Sequence, residues 1–351
     1  MRLLEIGDIQ KIISSMGLER FNHQLIETLE QDFSRWQGFH LSARHATHYP
    51  HGVIELMPCS DDRLYSFKYV NGHPGNTAQG RLSVVAFGVL AEVSSGYPLL
   101  IAEMTLLTAL RTAAVAALGA RYLARASSRH LALIGCGAQG EFLVHALGCV
   151  LPLEQVSFFD PDGAAMRKFS TNLGPSGLQL RPCKGIDAAL EQADVIVTAT
   201  AAKRRQVLLH QGQVPAGTHI HALGGDCPGK TELDPALVAD SKRVVEYLPQ
   251  TREEGELQNL PEPGVHAELW ELVSGNKPGR EDPAEITLFD AVGFALEDFS
   301  ILRLVQRLAQ EMGLGRALQL IPELNDPKDL FGLIASPNSA SSSSRTRSRV
   351  R

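Results

Sequence analysis

Paired cysteines, long apolar runs and surplus basic charge are all scarce in this 351-residue sequence. The five cysteines (Cys59, Cys136, Cys149, Cys183, Cys227) are odd in number and scattered, with no CxxC pair and no histidine at metal-ligating spacing. This excludes a disulfide framework and predicts reduced thiols in a cytoplasmic protein with no metal site. No apolar run reaches the roughly 18 residues needed to span a bilayer. The N-terminus, MRLLEIGDIQ, carries Glu5 and Asp8 where a signal peptide needs an unbroken apolar stretch. Neither a membrane span nor secretion by that route is expected. Lys plus Arg number 33 against 39 Asp plus Glu, and four of the arginines (Arg345, Arg347, Arg349, Arg351) crowd the last seven residues. The body of the chain is therefore strongly acidic and would repel a phosphate backbone, so no nucleic-acid partner is expected.

What remains is a folded protein: 44% of residues are hydrophobic and 21% charged, and the length suits two domains. From Ala335 the sequence reads ASPNSASSSSRTRSRVR, with almost nothing to bury, and residues 335–351 are predicted to be a disordered Ser/Arg tail. Residues 9–29 space their apolar side chains as a helix does. VIELM (53–57), LYSFKYV (64–70) and SVVAFGVLAEV (83–93) read as strands, the last ending at the turn signal SSGYP. A long Ala- and Leu-rich helix follows from residue 106 to 124. The rhythm then changes to short apolar runs (130–135, 155–160, 178–183, 194–200, 219–225, 243–248) separated by helix-length segments, the pattern of a doubly wound parallel sheet. The fold class expected is α/β: a Rossmann domain over 116–312, including a returning helix at 294–312, plus an α+β substrate-binding and dimerisation domain formed by 1–115 and 313–334.

Gly135-Cys136-Gly137-Ala138-Gln139-Gly140 closes the first parallel strand and opens a helix. Its glycines permit a tight turn, close approach of backbone to a pyrophosphate, and tight packing of helix on strand. Asp160, twenty residues past Gly140, ends the next strand, where a carboxylate accepts ribose hydroxyls and repels a 2′-phosphate; NAD is favoured over NADP. Thr198, Thr200 and Ile220 to Leu223 fall at the carboxyl ends of later strands, the edge where ligands bind in such sheets.

Charge also appears where it is not expected. Arg111 is the one charged residue between Met104 and Leu118, and a buried guanidinium needs an anion: a phosphate or a substrate carboxylate would serve. Lys68 interrupts an apolar strand and either binds an anion or snorkels to solvent. Arg44 by itself reads as an ordinary surface arginine. The segment 224–233, GGDCPGKTEL, follows a strand directly and puts Asp226 in the crevice as a candidate general acid and base, while Asp234-Pro235 fits a helix cap. His73, His219 and His221 are catalytic candidates that read more readily as structural.

These residues together resemble the ornithine cyclodeaminase/mu-crystallin family, from about Ile9 to Phe331, through KYVNGHP (68–74), FGVLAEVSSGYP (87–98), ALRTAA (109–114), GCGAQGEF (135–142), GGDCPGKTEL (224–233), VEYLPQTREEGE (245–256), FDAVGFALED (289–298) and DPKDLF (326–331). GGDCPGKTEL points within that family to the bacterial cyclodeaminases. The resemblance implies a homodimer that converts L-ornithine to L-proline and ammonia, with NAD reduced and reoxidised in one turnover. It implies that Arg44, Lys68 and Arg111 hold the substrate carboxylate, that Asp226 is the acid/base, and that Val292 lines the substrate pocket. Ser83, Arg111, Thr112, Gly135, Gly137, Ala138, Gln139, Asp160, Thr200, Ile220, His221, Ala222, Leu223, Lys230 and Ala291 would contact NAD. The sequence departs from the family pattern at Ser83, where Thr is expected, and at Ala291, where Ser is expected. A lysine cyclodeaminase giving L-pipecolate, or an NAD(P)-dependent imine reductase or amino-acid dehydrogenase, are the alternatives.

Overall fold

The structure is a computed structural model, and it describes residues 1–201, 205–225, 227–261 and 264–335. The first part of the chain forms β1 (Arg2–Leu4), α1 (Ile6–Met16), α2 (Leu18–Ser34), β2 (His40–Leu41), β3 (His45–Tyr49), β4 (Gly52–Ser60), β5 (Leu64–Gly72), β6 (Val84–Glu92) and β7 (Pro98–Glu103). Helix α3 (Thr105–Leu123) leads into β8 (His130–Ile134), α4 (Gly140–Gly148), β9 (Gln155–Phe159), α5 (Gly163–Leu173), β10 (Gln179–Pro182) and α6 (Ile186–Leu190). Then come β11 (Val195–Thr198), β12 (Arg205–Leu209), β13 (His219–Ala222), β14 (Thr231–Leu233), α7 (Pro235–Asp240), β15 (Lys242–Val245) and α8 (Leu248–Thr251). The chain ends with β16 (Ala267–Glu268), α9 (Leu269–Val273), β17 (Thr287–Asp290), α10 (Ala295–Glu311), β18 (Arg316–Ala317) and α11 (Gly332–Ala335).

Two eight-stranded sheets result. The first, in the order β18-β1-β7-β6-β5-β4-β2 with β3 also on β4, is antiparallel except where β1 runs parallel to β7. The second, β10-β9-β8-β11-β13-β17-β15-β16, is parallel throughout. Its order reverses between β8 and β11, so a crevice opens outside the carboxyl ends of those two strands. Residues 313–334 add β18 to the edge of the first sheet through Arg2 and Leu3.

The helix expected over 9–29 is two helices. Gly17 separates them at φ 85°, a left-handed turn that frees α2 to take its own direction across the first sheet. Helix α10 lies on β4, β5 and β6 and against α2, so the returning helix, drawn in sequence with the Rossmann domain, packs on the first sheet instead. Helix α3 is apolar and long enough to cross a membrane, but it spends that apolarity in the core, between α2 and α10 on one side and α4, β13 and β17 on the other. Ala113 to Ala120 are all buried, and a Cβ on Gly119 would sit 2.5 Å from the Phe289 ring, so helix and strand touch only because that position is glycine.

Candidate active site

The glycine loop is built as its spacing demands. Gly135 takes φ 104°, and a Cβ there would lie 2.5 Å from the carbonyl oxygen of Ala199, which brings the end of β8 against the end of β11 at the switch point. A Cβ on Gly140 would press on Phe169 at 3.0 Å and Leu133 at 3.1 Å, whereas one on Gly137 would meet nothing within 4 Å. The loop is thus tight at both ends and open in the middle, with the N-terminus of α4 facing the opening, and this fits a dinucleotide pyrophosphate. Asp160, just past β9, accepts the N–H groups of Cys136 and Asp162, each at 2.8 Å, which fixes its carboxylate beside the loop. Lys168, not anticipated from sequence, donates to the Gly137 carbonyl and the Glu141 carboxylate, both at 2.9 Å.

On the opposite wall, Lys230 donates to the Thr200 carbonyl at 2.8 Å, and the Thr200 hydroxyl donates to the Glu232 carboxylate. Asp226 lies outside the described residues, but its neighbours are firmly set. A Cβ on Gly224 would overlap the Glu232 carboxylate, and one on Gly225 would lie 2.8 Å from Gly255. Glu256 accepts the N–H groups of Glu232 (2.8 Å) and Leu233 (3.0 Å), and Asp290 accepts those of Glu256 (2.8 Å) and Leu257 (3.2 Å). Burial pushes the Glu256 carboxyl up to about 7 and, with Glu256 as neighbour, that of Asp290 well above its usual range. The Asp234 side chain caps α7 through Ala236, with Pro235 at the first helical position.

The three candidate substrate cations come together, and each is buried. Strand alternation turns Ser66, Lys68 and Val70 inward and Tyr65, Phe67 and Tyr69 outward, so Lys68 cannot snorkel; it points at α10 and meets Asp298 at 2.9 Å. Burial, then the adjacent Arg111 guanidinium, lowers the Lys68 ammonium to about 8 in spite of Asp298. Arg111 meets Glu297 at 2.5 Å and Asp298 at 3.1 Å, so the anion it needs comes first from the protein. Arg44 is no surface residue. Its side chain is 8% exposed, lies 3.2 Å from Glu55 and 3.4 Å from Glu254, and donates to the carbonyls of Val292 (2.5 Å) and Gly293 (2.6 Å). The carboxylates were missed from sequence, although Glu297 and Asp298 stand as neighbours in the apolar FALEDFSIL, the same signal that marked Arg111.

Val292 and Ala291 follow β17 and are buried beside this cluster; the Ala291 N–H donates to Ala222 at 3.0 Å, so both flank the strand end formed by Ala222 and Leu223. Thr112 is buried next to Arg111 on α3. Ser83 immediately precedes β6, and its carbonyl accepts the His73 N–H at 2.8 Å, which keeps both residues beside the first sheet. Ile220, His221 and Ala222 lie within β13, fully buried. His221 packs on Phe289 with ring centroids 5.1 Å apart, burial lowers it to about 3, and it is a neutral core histidine.

Comparison with known proteins gives one consistent result. Residues 8–313 match the ornithine cyclodeaminase/mu-crystallin family. An ornithine cyclodeaminase of Brucella suis is 48% identical over 94% of this chain and 92% of its own. An L-lysine cyclodeaminase of Streptomyces rapamycinicus is 32% identical over 93% of this chain and 97% of its own. Among solved structures, an archaeal alanine dehydrogenase dimer with bound NAD superposes with a TM-score of 0.84 at 29% identity, covering 92% of this chain and 99% of that one. With the Rossmann crevice and the buried cation cluster in place, and a match running through both sheets, this chain belongs to the ornithine cyclodeaminase/mu-crystallin family.

Proposed function

We propose that this protein is an NAD-dependent lyase that converts L-ornithine to L-proline and ammonia. The observation that carries the substrate is the cluster itself. Three cations, Arg44, Lys68 and Arg111, are surrounded by five carboxyls, Glu55, Glu246, Glu254, Glu297 and Asp298. A cluster with more acids than bases complements a ligand with more amines than carboxylates. Ornithine has two amines and one carboxylate; a simple amino acid such as alanine is balanced and suits the cluster less.

In this reading Lys68, Arg111 and Arg44 hold the substrate α-carboxylate, Lys68 and Arg111 through N–H donors they retain and Arg44 by exchanging part of its contact with Glu55 or Glu254 for the ligand. Lys68 has three such donors and Arg111 five, and hydrogen bonds to Asp298 and Glu297 occupy one of each. Val292 borders the carbon chain. Bound NAD supplies a temporary hydride acceptor at Cα. Holding the carboxylate at three points fixes the Cα position, and orientation of this kind contributes much of the rate. Asp226 moves the protons that let the distal amine close the ring and the α-nitrogen leave as ammonia. Gly135, Gly137, Ala138, Gln139 and Asp160 hold the adenosine side of NAD, with Thr112, Thr200, Ile220 to Leu223, Lys230, Ala291 and Ser83 toward the nicotinamide. The active form is a homodimer. The outer face of the first sheet leaves Leu56, Tyr65, Val85 and Phe87 exposed, and Tyr69 stacks on Phe87 with centroids 5.2 Å apart, a patch suited to a second copy. The five cysteines are unpaired, in keeping with a cytoplasmic enzyme.

The test is incubation of the protein with NAD and either ornithine or lysine. Proline and ammonia should appear in equal amounts while NADH absorbance stays flat, and deuterium at Cα of ornithine should remain in the proline. Pipecolate as the preferred product would make lysine the substrate, and NADH accumulating with each ammonia would make the protein a dehydrogenase.

A further inference from the structure

Two of the five carboxyls of the substrate cluster have been given no step in the chemistry just described. Glu246, which follows β15, gives one oxygen to the N–H groups of Val292 (3.0 Å) and Gly293 (2.8 Å). Glu297, in the first turn of α10, gives one oxygen to Arg111. The other oxygen of each, Oε1 in both cases, is buried and meets no N–H or O–H donor among the described residues, and the two carboxyls act on each other directly. Two buried carboxylates can settle together in this way only with a proton between them.

We propose that Glu246 and Glu297 share a single proton and act as a positioning pair that locks the 292–293 turn, and with it Arg44, to Arg111. The turn is held on every polar atom. Its N–H groups go to Glu246, and its carbonyls go to Arg44, with Gln250 also donating to Gly293 at 2.8 Å. Gly293 adopts φ 82°, and a Cβ there would lie 2.7 Å from the Arg111 guanidinium, so that Arg111 rests directly against the turn. Burial raises both carboxyls, and for Glu297 the repulsion of Glu246 adds to it, the condition under which one proton stays with the pair. The charged groups that act on the pair are Arg111 on α3 and Asp298 on α10; Lys68 on β5 reaches it through Asp298, and Arg44, with Glu55 and Glu254, through the carbonyls of the turn. The kinetic consequence rests on the proposed roles of Arg44, Arg111 and Val292 in holding substrate.

Glutamine can replace either partner without loss of a hydrogen bond: its oxygen takes over the acceptor role and its amide N–H replaces the shared proton, leaving the other residue ionised. Infrared spectra should therefore lose the same buried protonated-carboxyl band in both Glu246→Gln and Glu297→Gln, while the band of buried Asp290 stays in both. Loss of a band in only one variant, or in neither, would overturn the pair. In turnover, Glu246→Ala should raise KM by roughly 10- to 100-fold with a smaller change in kcat, since two buried N–H groups lose their acceptor, and Glu246→Gln should recover most of that loss. An alanine variant with lowered Tm but unchanged KM would reduce Glu246 to a structural residue and refute the positioning role. If Glu246→Ala fails to fold, the infrared comparison decides. If the parent turns over neither ornithine nor lysine, the functional reading fails while the infrared result still judges the pair.

Discussion

The two halves of the site are made of different material. The nucleotide half is made of backbone: glycines that permit close approach, N–H groups at a helix start, and one carboxylate that is itself pinned by two N–H groups. The proposed amino-acid half is made of buried side-chain charge drawn from β4, β5, α3, α10 and the loops around Arg44, Glu246 and Glu254. Backbone features are local, so their cost is met within one loop. Buried charges hold one another in place across the whole molecule, and removing one leaves its partners exposed to a low-dielectric interior. Substitution in the second half should therefore cost folding, and in the first half only affinity.

The largest effect is expected from Arg111→Ala, which leaves Glu297 and Asp298 without their guanidinium. Loss of one partner of a buried ion pair costs about 3–5 kcal/mol, so thermal unfolding should move down by several degrees or the protein should fail to accumulate. An unchanged Tm would mean that neighbouring groups compensate and the contrast between the halves is weaker than drawn. Next is Asp226→Asn, which should leave Tm and NAD binding in place and lower kcat by at least ~100-fold, the range for a lost general acid or base. Near-parental turnover would take Asp226 out of the reaction. Asp160→Ala is smaller again: NAD should bind roughly 10-fold more weakly and NADP should gain relative to it, with Tm nearly unchanged, because a ribose partner and the repulsion of a 2′-phosphate go together. Cofactor titration with both nucleotides checks this, and an unchanged preference would move the ribose site elsewhere.

The same division explains what could be read from the sequence. GxGxxG with Asp160 at strand spacing is a contiguous signal, and the structure places those residues at one switch point. Arg111 and Lys68 were visible as misplaced charges, Arg111 in an apolar helix and Lys68 in an apolar strand, although for Lys68 snorkelling stayed open until the strand's burial was seen. Arg44 was not visible, since its neighbours Ser42, Ala43 and His45 set no burial pattern. The carboxylates that answer these cations lie up to 230 residues away, as in the pairing of Lys68 with Asp298, and no local pattern can pair them. FALEDFSILRLVQRLAQEM likewise announces a helix that returns the chain to the first domain, but its partners on β4 to β6 are set by tertiary packing alone.

Lys68 gives the finest test, because a single titration should act in opposite directions on binding and on folding. Burial and Arg111 hold its folded pKa at about 8, against about 10.4 for a free lysine. Between those values the unfolded chain binds more protons than the folded one, so stability owed to Lys68 rises with pH across that window and is at its least below pH 8. Binding runs the other way. The clamp needs the ammonium, and above pH 8 the folded protein loses it, so KM for ornithine should climb by up to about 10-fold per pH unit while the two guanidiniums keep their charge. Lys68→Met should remove both effects together: a high KM that no longer responds to pH between 8 and 10, and a stability curve without the rise. A variant that lost the stability term but kept the parental KM profile would separate Lys68 from the substrate and leave the carboxylate to Arg44 and Arg111.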